Sequence, residues 1–225
     1  MAKASTHSVA GIRNAILEGR WSPGDRLQPS AIALHFETST TVIRESLTKL
    51  AGEGLVTSKP NRGFFVPELN LRELADITEL RCVTEELAAK LAVARGDLGW
   101  ESTLIAAHHK LARIPRHLSQ SPVVINPEWG SAHRDFHRAL LSPCDCAPML
   151  ALSANLANST LLYRRWAATS DAASARNVEH EHEQLLEAAL SHDASKLARL
   201  LREHYEGSVQ VILEAGLLGT ASLSV

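Results

Sequence analysis

Four of the eleven histidines fall where imidazoles could meet. His133 and His137, in the run His-Arg-Asp-Phe-His, stand at i and i+4 and so project from one face of a helix. That is the spacing by which one helix offers two ligands to one metal ion. His182 lies four residues before Leu186 on the apolar side of its segment, and His204 continues the face of Leu197, Leu200 and Leu201. Three helices, each with an inward histidine, can converge on a single ion. The competing reading is plain: a histidine on an apolar face is more often a hydrogen-bonded core residue, and spacing alone does not choose between the two. His180 points away from that face, and His108, His109, His117 and His192 read as exposed or loop-bound.

A second kind of chemistry is carried by residues 38–63. Ser39 and Thr40 are helix N-cap types. Ile43, Ser46, Leu47 and Leu50 then recur at helical spacing as a face that buries itself. Thr40, Thr41, Arg44 and Thr48 form the opposite face, polar and singly basic. Gly52 and Gly54 stop the helix, Leu55-Val56 opens a strand, Pro60-Asn61-Arg62-Gly63 turns it, and Phe64-Phe65-Val66 returns. A helix offering hydroxyls and an arginine, followed by a hairpin with a basic tip, is the pattern of a winged helix-turn-helix.

The elements that must position these groups follow in order. A first helix spans about 5–18, Pro23-Gly24 is a turn, and Leu27 is a short strand residue able to pair with the wing. The positioning helix spans 30–36, with Ile32, Ala33 and Phe36 inward and His35 partly buried. Pro67 to Asn70 is a linker. From Leu71 onward every periodic segment is helical, in six stretches near 71–95, 101–118, 128–142, 147–169, 174–192 and 193–215, with no strand pattern after Val66. The chain therefore divides into residues 1–67, a winged helix-turn-helix, and 68–225, an all-helical bundle; the fold class is mainly α. Residues 216–225 are small and polar and are expected to fray.

Composition bounds the function. At 225 residues the chain has room for two modest domains. No apolar run reaches membrane-spanning length and no signal-peptide pattern opens the chain. Three cysteines are too few and odd for a disulfide framework, and a cytoplasmic setting is expected. The net charge of −2 is unevenly spread: residues 1–67 carry eight Lys/Arg against five Asp/Glu, and the remainder carries 15 against 20. A basic head on an acidic body fits nucleic-acid contact through the head.

Ile12 to Val66 resembles the N-terminal DNA-binding domain of the GntR family of bacterial transcription regulators. The carrying residues are Pro23-Gly24-Asp25-Arg26-Leu27, Ile43-Arg44-Glu45-Ser46-Leu47, Glu53-Gly54-Leu55-Val56 and Asn61-Arg62-Gly63. The resemblance implies that Ser39, Thr40, Thr41 and Arg44, with Asn61, Arg62 and Gly63 of the wing, contact a palindromic double-stranded operator as a homodimer. It departs at Thr40, where the family usually has arginine, and near Ser30, where a charged residue is common.

Residues 71–215 resemble the FCD effector-binding domain of the FadR-type branch, in its shorter, VanR-like version. The matching pieces are Leu80-Arg81 with Glu85, Phe136-His137, His182 with Leu185-Leu186, and Arg202 to His204. Such domains bind a divalent metal through Asp, His, His and His, and the aspartate position is here His133. Asp135 does not substitute, lying about 200° around the helix from His137. Four neutral imidazoles leave a divalent ion with about +2 and favour zinc, with nickel the second choice, over manganese or magnesium; alternatively His133 stays outside a three-histidine shell. The resemblance gives Arg81, beside the apolar face of Ile77, Leu80, Val83, Leu87 and Leu91, the role of gripping an effector carboxylate; Arg164 and Arg165 are a further basic pair for the pocket or a dimer interface.

The function implied is a ligand-responsive repressor, not an enzyme, sensing a small organic acid near the metal. The alternative is a metal-dependent hydrolase fused to a DNA-binding head. His-Arg-Asp-Phe-His looks superficially like the His-Glu-x-x-His of zinc proteases, but Arg134 occupies the general-base position, and a cation there cannot activate water. A plain architectural DNA-binding protein leaves the helical domain without a role.

Overall fold

The computed structural model describes residues 2–120, 123–168 and 170–215; the expected frayed end, 216–225, lies outside them. In the N-terminal third, α1 (Ala2–Leu17) stops where Gly19 takes φ 77°. A short strand β1 (Arg26–Leu27) leads to α2 (Pro29–His35), which opens on Pro29, a residue whose fixed φ and missing N–H suit a first helical turn. The next helix, α3 (Thr40–Gly52), is capped by Ser39, whose hydroxyl accepts from the Val42 amide at 3.2 Å. Gly54, at φ 75°, turns the chain out of it. Strands β2 (Thr57–Lys59) and β3 (Gly63–Phe65) form the wing, and β1 pairs antiparallel with β3, Leu27 facing Phe64. Ile12, Ile16, Leu27, Ile43, Leu47 and Leu50 close a fully buried centre.

Two details of the head differ from expectation. The wing strand begins at Thr57, because Leu55 and Val56 are buried in the turn leaving α3. His35 is exposed rather than partly buried; Phe36 fills the packing role, with His35 edge-on to it at 4.9 Å.

The second part begins with α4 (Leu71–Arg95), capped by the Asn70 side chain, and α5 (Leu98–Arg113), capped by Asp97. A hairpin follows, β4 (His117–Gln120) and β5 (Val123–Ile125), with His117 facing Ile125 and Gln120 facing Val123. Then come α6 (Pro127–Leu141), a 3-10 turn at 142–144, α7 (Ala147–Ala167), α8 (Asp171–Ala175), α9 (Val178–Leu190) and α10 (Ala194–Glu214). Leu104, Phe136, Leu140, Leu185, Leu197 and Leu201 centre its core. None of the described helices is long and apolar enough to cross a membrane.

The expectation of no strand after Val66 fails at this hairpin, and the expected helix to residue 118 ends at Arg113. Pro115 removes a backbone donor and disfavours helix before it, and Val123-Val124-Ile125 is a β-branched run too short to announce its period. The single helix expected over 174–192 is two, α8 and α9, separated at Arg176-Asn177, where Asn177 caps α9. Seven helices therefore follow Val66 among the described residues, rather than six.

The orientation of α4 also reverses the sequence reading. Its long apolar residues Leu80, Val83 and Leu87 are about half exposed, whereas Arg81, Cys82, Glu85, Ala88, Ala89 and Ala92 are buried. Small residues there let neighbouring helices approach. The two parts of the chain pack together through α7. Leu162 joins the head's buried cluster, with Leu161 and Trp166 against it. Ser159 lies so close to Gly54 that a Cβ there would come within 2.6 Å of its hydroxyl. Arg165 donates to the Leu17 carbonyl at 2.7 Å.

Candidate metal centre, cavity and nucleic-acid interface

The buried flank of α6, Ala132, Phe136, Leu140 and Leu141, packs into the bundle and turns His133 and His137 inward one turn apart. From α9, His182 enters beside Leu185, and from α10, His204 enters beside Leu201 and Tyr205. All four imidazoles are buried, and one ring nitrogen of each lies within 4.8 Å of the others. Burial, reinforced by mutual repulsion, lowers the pKa of His133, His137 and His182 well below 6.5. Burial also lowers that of His204, against the opposing pull of Glu181. Neutral imidazoles each keep a lone pair for a cation.

The surroundings direct those lone pairs. Glu181 accepts from His204 Nδ1 at 2.6 Å and is gripped by Arg176 at 2.7 and 2.6 Å. Although burial raises it, these bonds hold its pKa at about 2. An ionised Glu181 fixes the proton on His204 Nδ1 and leaves Nε2 as the free acceptor, the usual carboxylate–histidine arrangement behind a metal ligand. Tyr205 donates to Glu85 and stands 3.4 Å from His137 Nδ1. His137 Nε2 and His182 Nε2 are buried with no partner, each a cost of about 1–3 kcal/mol. Two orphaned acceptors, from α6 and α9, in a group of four imidazoles from three helices fit a divalent ion of the zinc or nickel type. Asp135 is outside this group and pairs with Arg138 at 2.8 Å.

A cavity of about 160 Å³ opens beside the cluster, with His133 and His204 on its wall. Arg116 and Ile125, at the ends of the hairpin, line it with Trp129 and Arg134 of α6, Arg164 and Arg165 of α7, and Arg13 and Leu17 of α1. Burial pulls the Arg164 guanidinium down to about 9. Arg81 does not line this cavity. It pairs with Glu85 at 2.7 Å, lies over the Tyr205 ring at 3.8 Å, and borders a small separate void shared with Arg164. Sequence reasoning missed Arg116 and Trp129, since the only signal for Arg116 was the unrecognised hairpin it leads into. His180 is exposed beside Glu183, and His192 is exposed beside Glu101.

In the head, Ser39, Thr40, Thr41 and Arg44 are all exposed along the first turns of α3. Asn61 and Arg62 are exposed at the wing tip, where Pro60 presets the turn, Asn61 takes φ 56° and Gly63 takes φ 95°. The Arg62 amide closes the turn on the Lys59 carbonyl at 3.0 Å. A polar helix face beside a basic wing is the geometry with which a helix enters a major groove.

Comparison with known proteins agrees with both halves. Residues 5–66 match the family described as bacterial regulatory proteins, gntR family, and residues 76–207 match the FCD domain. The chain belongs to the GntR family. It is 34% identical over 207 residues to a protein described as the uncharacterized HTH-type transcriptional regulator BphR of Paraburkholderia xenovorans strain LB400, covering 92% of this chain and 84% of that one. It is 27% identical to the HTH-type transcriptional repressor GlaR of Escherichia coli K12, covering 91% and 93%. Among solved structures, E. coli McbR/YncC shares the fold with a TM-score of 0.74 at 20% identity, covering 95% of this chain and 99% of that one. This GntR protein is thus a DNA-binding transcriptional regulator with an FCD domain, and its relatives are regulators rather than enzymes.

Proposed function

We propose that this protein is a repressor that binds a palindromic operator as a homodimer and answers to a small organic acid. Ser39, Thr40, Thr41 and Arg44 contact the major groove, and Asn61, Arg62 and Gly63 contact the flanking backbone or minor groove. His133, His137, His182 and His204 hold a divalent metal, zinc first and nickel second. The acid occupies the adjoining cavity, with Arg164 as a carboxylate partner and Arg81 acting from the void the two share. The observation that carries this reading is the group of neutral, partly orphaned imidazoles opening on a cation-lined space.

The exposed stripe of Leu80, Val83 and Leu87 on α4 supports the dimer, since a self-complementary apolar row is what a two-fold interface covers. Two observations weigh against the hydrolase alternative: Arg134, at the general-base position, is a cation, and Glu181, held at about 2, is a poor proton acceptor. The test is capture of sheared genomic DNA on the purified protein, followed by sequencing. Enrichment of a two-fold symmetric site is expected; uniform recovery would remove the regulator from its operator.

A further inference from the structure

The cavity holds more positive charge than its walls neutralise. Arg13 is answered by Glu53 and Arg176 by Glu181. Arg116, Arg134, Arg164 and Arg165 face the same space, Glu18 is the one acid lining it, and none of the four stands in an ion pair among the described residues. Arg116 Nε is buried without a partner, and among the described residues Arg164 makes a long bond of 3.4 Å to the Ala157 carbonyl and no other. Arg116 and Arg164 are both partly buried, and burial lowers the pKa of each. Partly buried cations without an ion pair are costly, and among the described residues Glu18 is the one acid in the lining to offset that cost.

The space also crosses the domain boundary. α1 of the head forms one wall and α6 and α7 the opposite one. Arg13 on that head wall is bound to Glu53, the residue that caps the C-terminus of α3.

We propose that this cavity binds an anion carrying at least two negative groups, lying across the domain boundary between Arg116 and Arg164 on one side and Arg13 of the head on the other. The proposal rests on the reading of this cavity as the effector site and adds the ligand's charge class and its contact with the head. A ligand carboxylate reaching Arg13 competes with Glu53, so occupancy acts on the capped end of the DNA-reading helix. Head position and ligand affinity are then linked, each altering the other by the same factor.

Calorimetric titration of the zinc-loaded full-length protein with acetate, succinate and citrate, at constant ionic strength, tests this. Affinity should rise at least tenfold from acetate to the tighter of the other two. Arg116→Gln and Arg164→Gln should each lower that affinity at least tenfold with zinc content unchanged. Arg13→Gln should weaken binding, and Glu53→Gln, which frees Arg13, should strengthen it severalfold; a damaged head could not produce that gain. Equal or absent binding of the three acids overturns the multivalent site. Indifference to both Arg13→Gln and Glu53→Gln overturns the contact with the head. Operator binding by the same samples separates these failures from failure of the regulator reading, which would show as lost DNA affinity with the titrations intact.

Discussion

At the scale of single residues, the histidine group does two things: it offers lone pairs, and it resists protons. In the folded chain all four imidazoles titrate below 6.5 because burial disfavours their charged form. As pH falls through 6.5, the unfolded chain takes up protons that the folded chain refuses. Stability of the metal-free protein should therefore be fully present above 6.5 and decline below it, steeply because four sites act together. Thermal melts between pH 7.5 and 5 check this, and a flat profile would mean the cluster is not buried and neutral in solution. Metal affinity of the folded chain should persist below 6.5 and fall only at more acid pH, since the burial that lowers these pKa values keeps protons off the ligand nitrogens. His182→Ala should lower bound metal in elemental analysis. Glu181→Gln should weaken metal affinity about 10–100-fold, the usual effect of removing a carboxylate behind a ligating histidine. Unchanged stoichiometry in the first variant would dismiss the site.

At the scale of elements, α4 carries the most informative reversal. Leu80, Val83 and Leu87 recur at helical spacing and read as a core face, yet they are the exposed face, and the alanines with Arg81 and Glu85 are inside. Periodicity reports which residues leave water together, without distinguishing the chain's own core from a partner's surface. Val83→Glu should shift the protein from dimer to monomer in sedimentation at micromolar concentration and reduce operator affinity with it. A dimer that persists would place the interface elsewhere. The head was legible almost residue by residue, because caps, glycine stops and turn residues such as Ser39, Gly54 and Asn61 have local physical causes. The convergence of His133, His137, His182 and His204 was legible from helical spacing and resemblance together. The hairpin at 117–125 was not, since three β-branched residues after a proline fit several structures equally well. Arg116, which the hairpin positions, was lost with it. The role given to Arg81 came from the resemblance, whereas its i+4 neighbour Glu85 is the local partner, paired with it at 2.7 Å.

At the scale of the whole molecule, the head and the FCD domain share a packed boundary. Leu162 of α7 completes the head's apolar centre, Arg165 holds the end of α1, and α1 in turn walls the cavity. A ligand in that cavity cannot be indifferent to where the head sits, and only a ligand with different affinity for two head positions can regulate DNA binding. The most direct measurement is an anisotropy titration of a labelled operator fragment with metal-loaded protein, with and without saturating multivalent acid, for the natural chain and Arg44→Ala. The account predicts tight binding by the natural chain, a loss of roughly 10–100-fold in Arg44→Ala, and a shift in operator affinity when the acid is present. An Arg44→Ala protein that binds as tightly as the natural chain, or an affinity that ignores every acid the cavity binds, would contradict it.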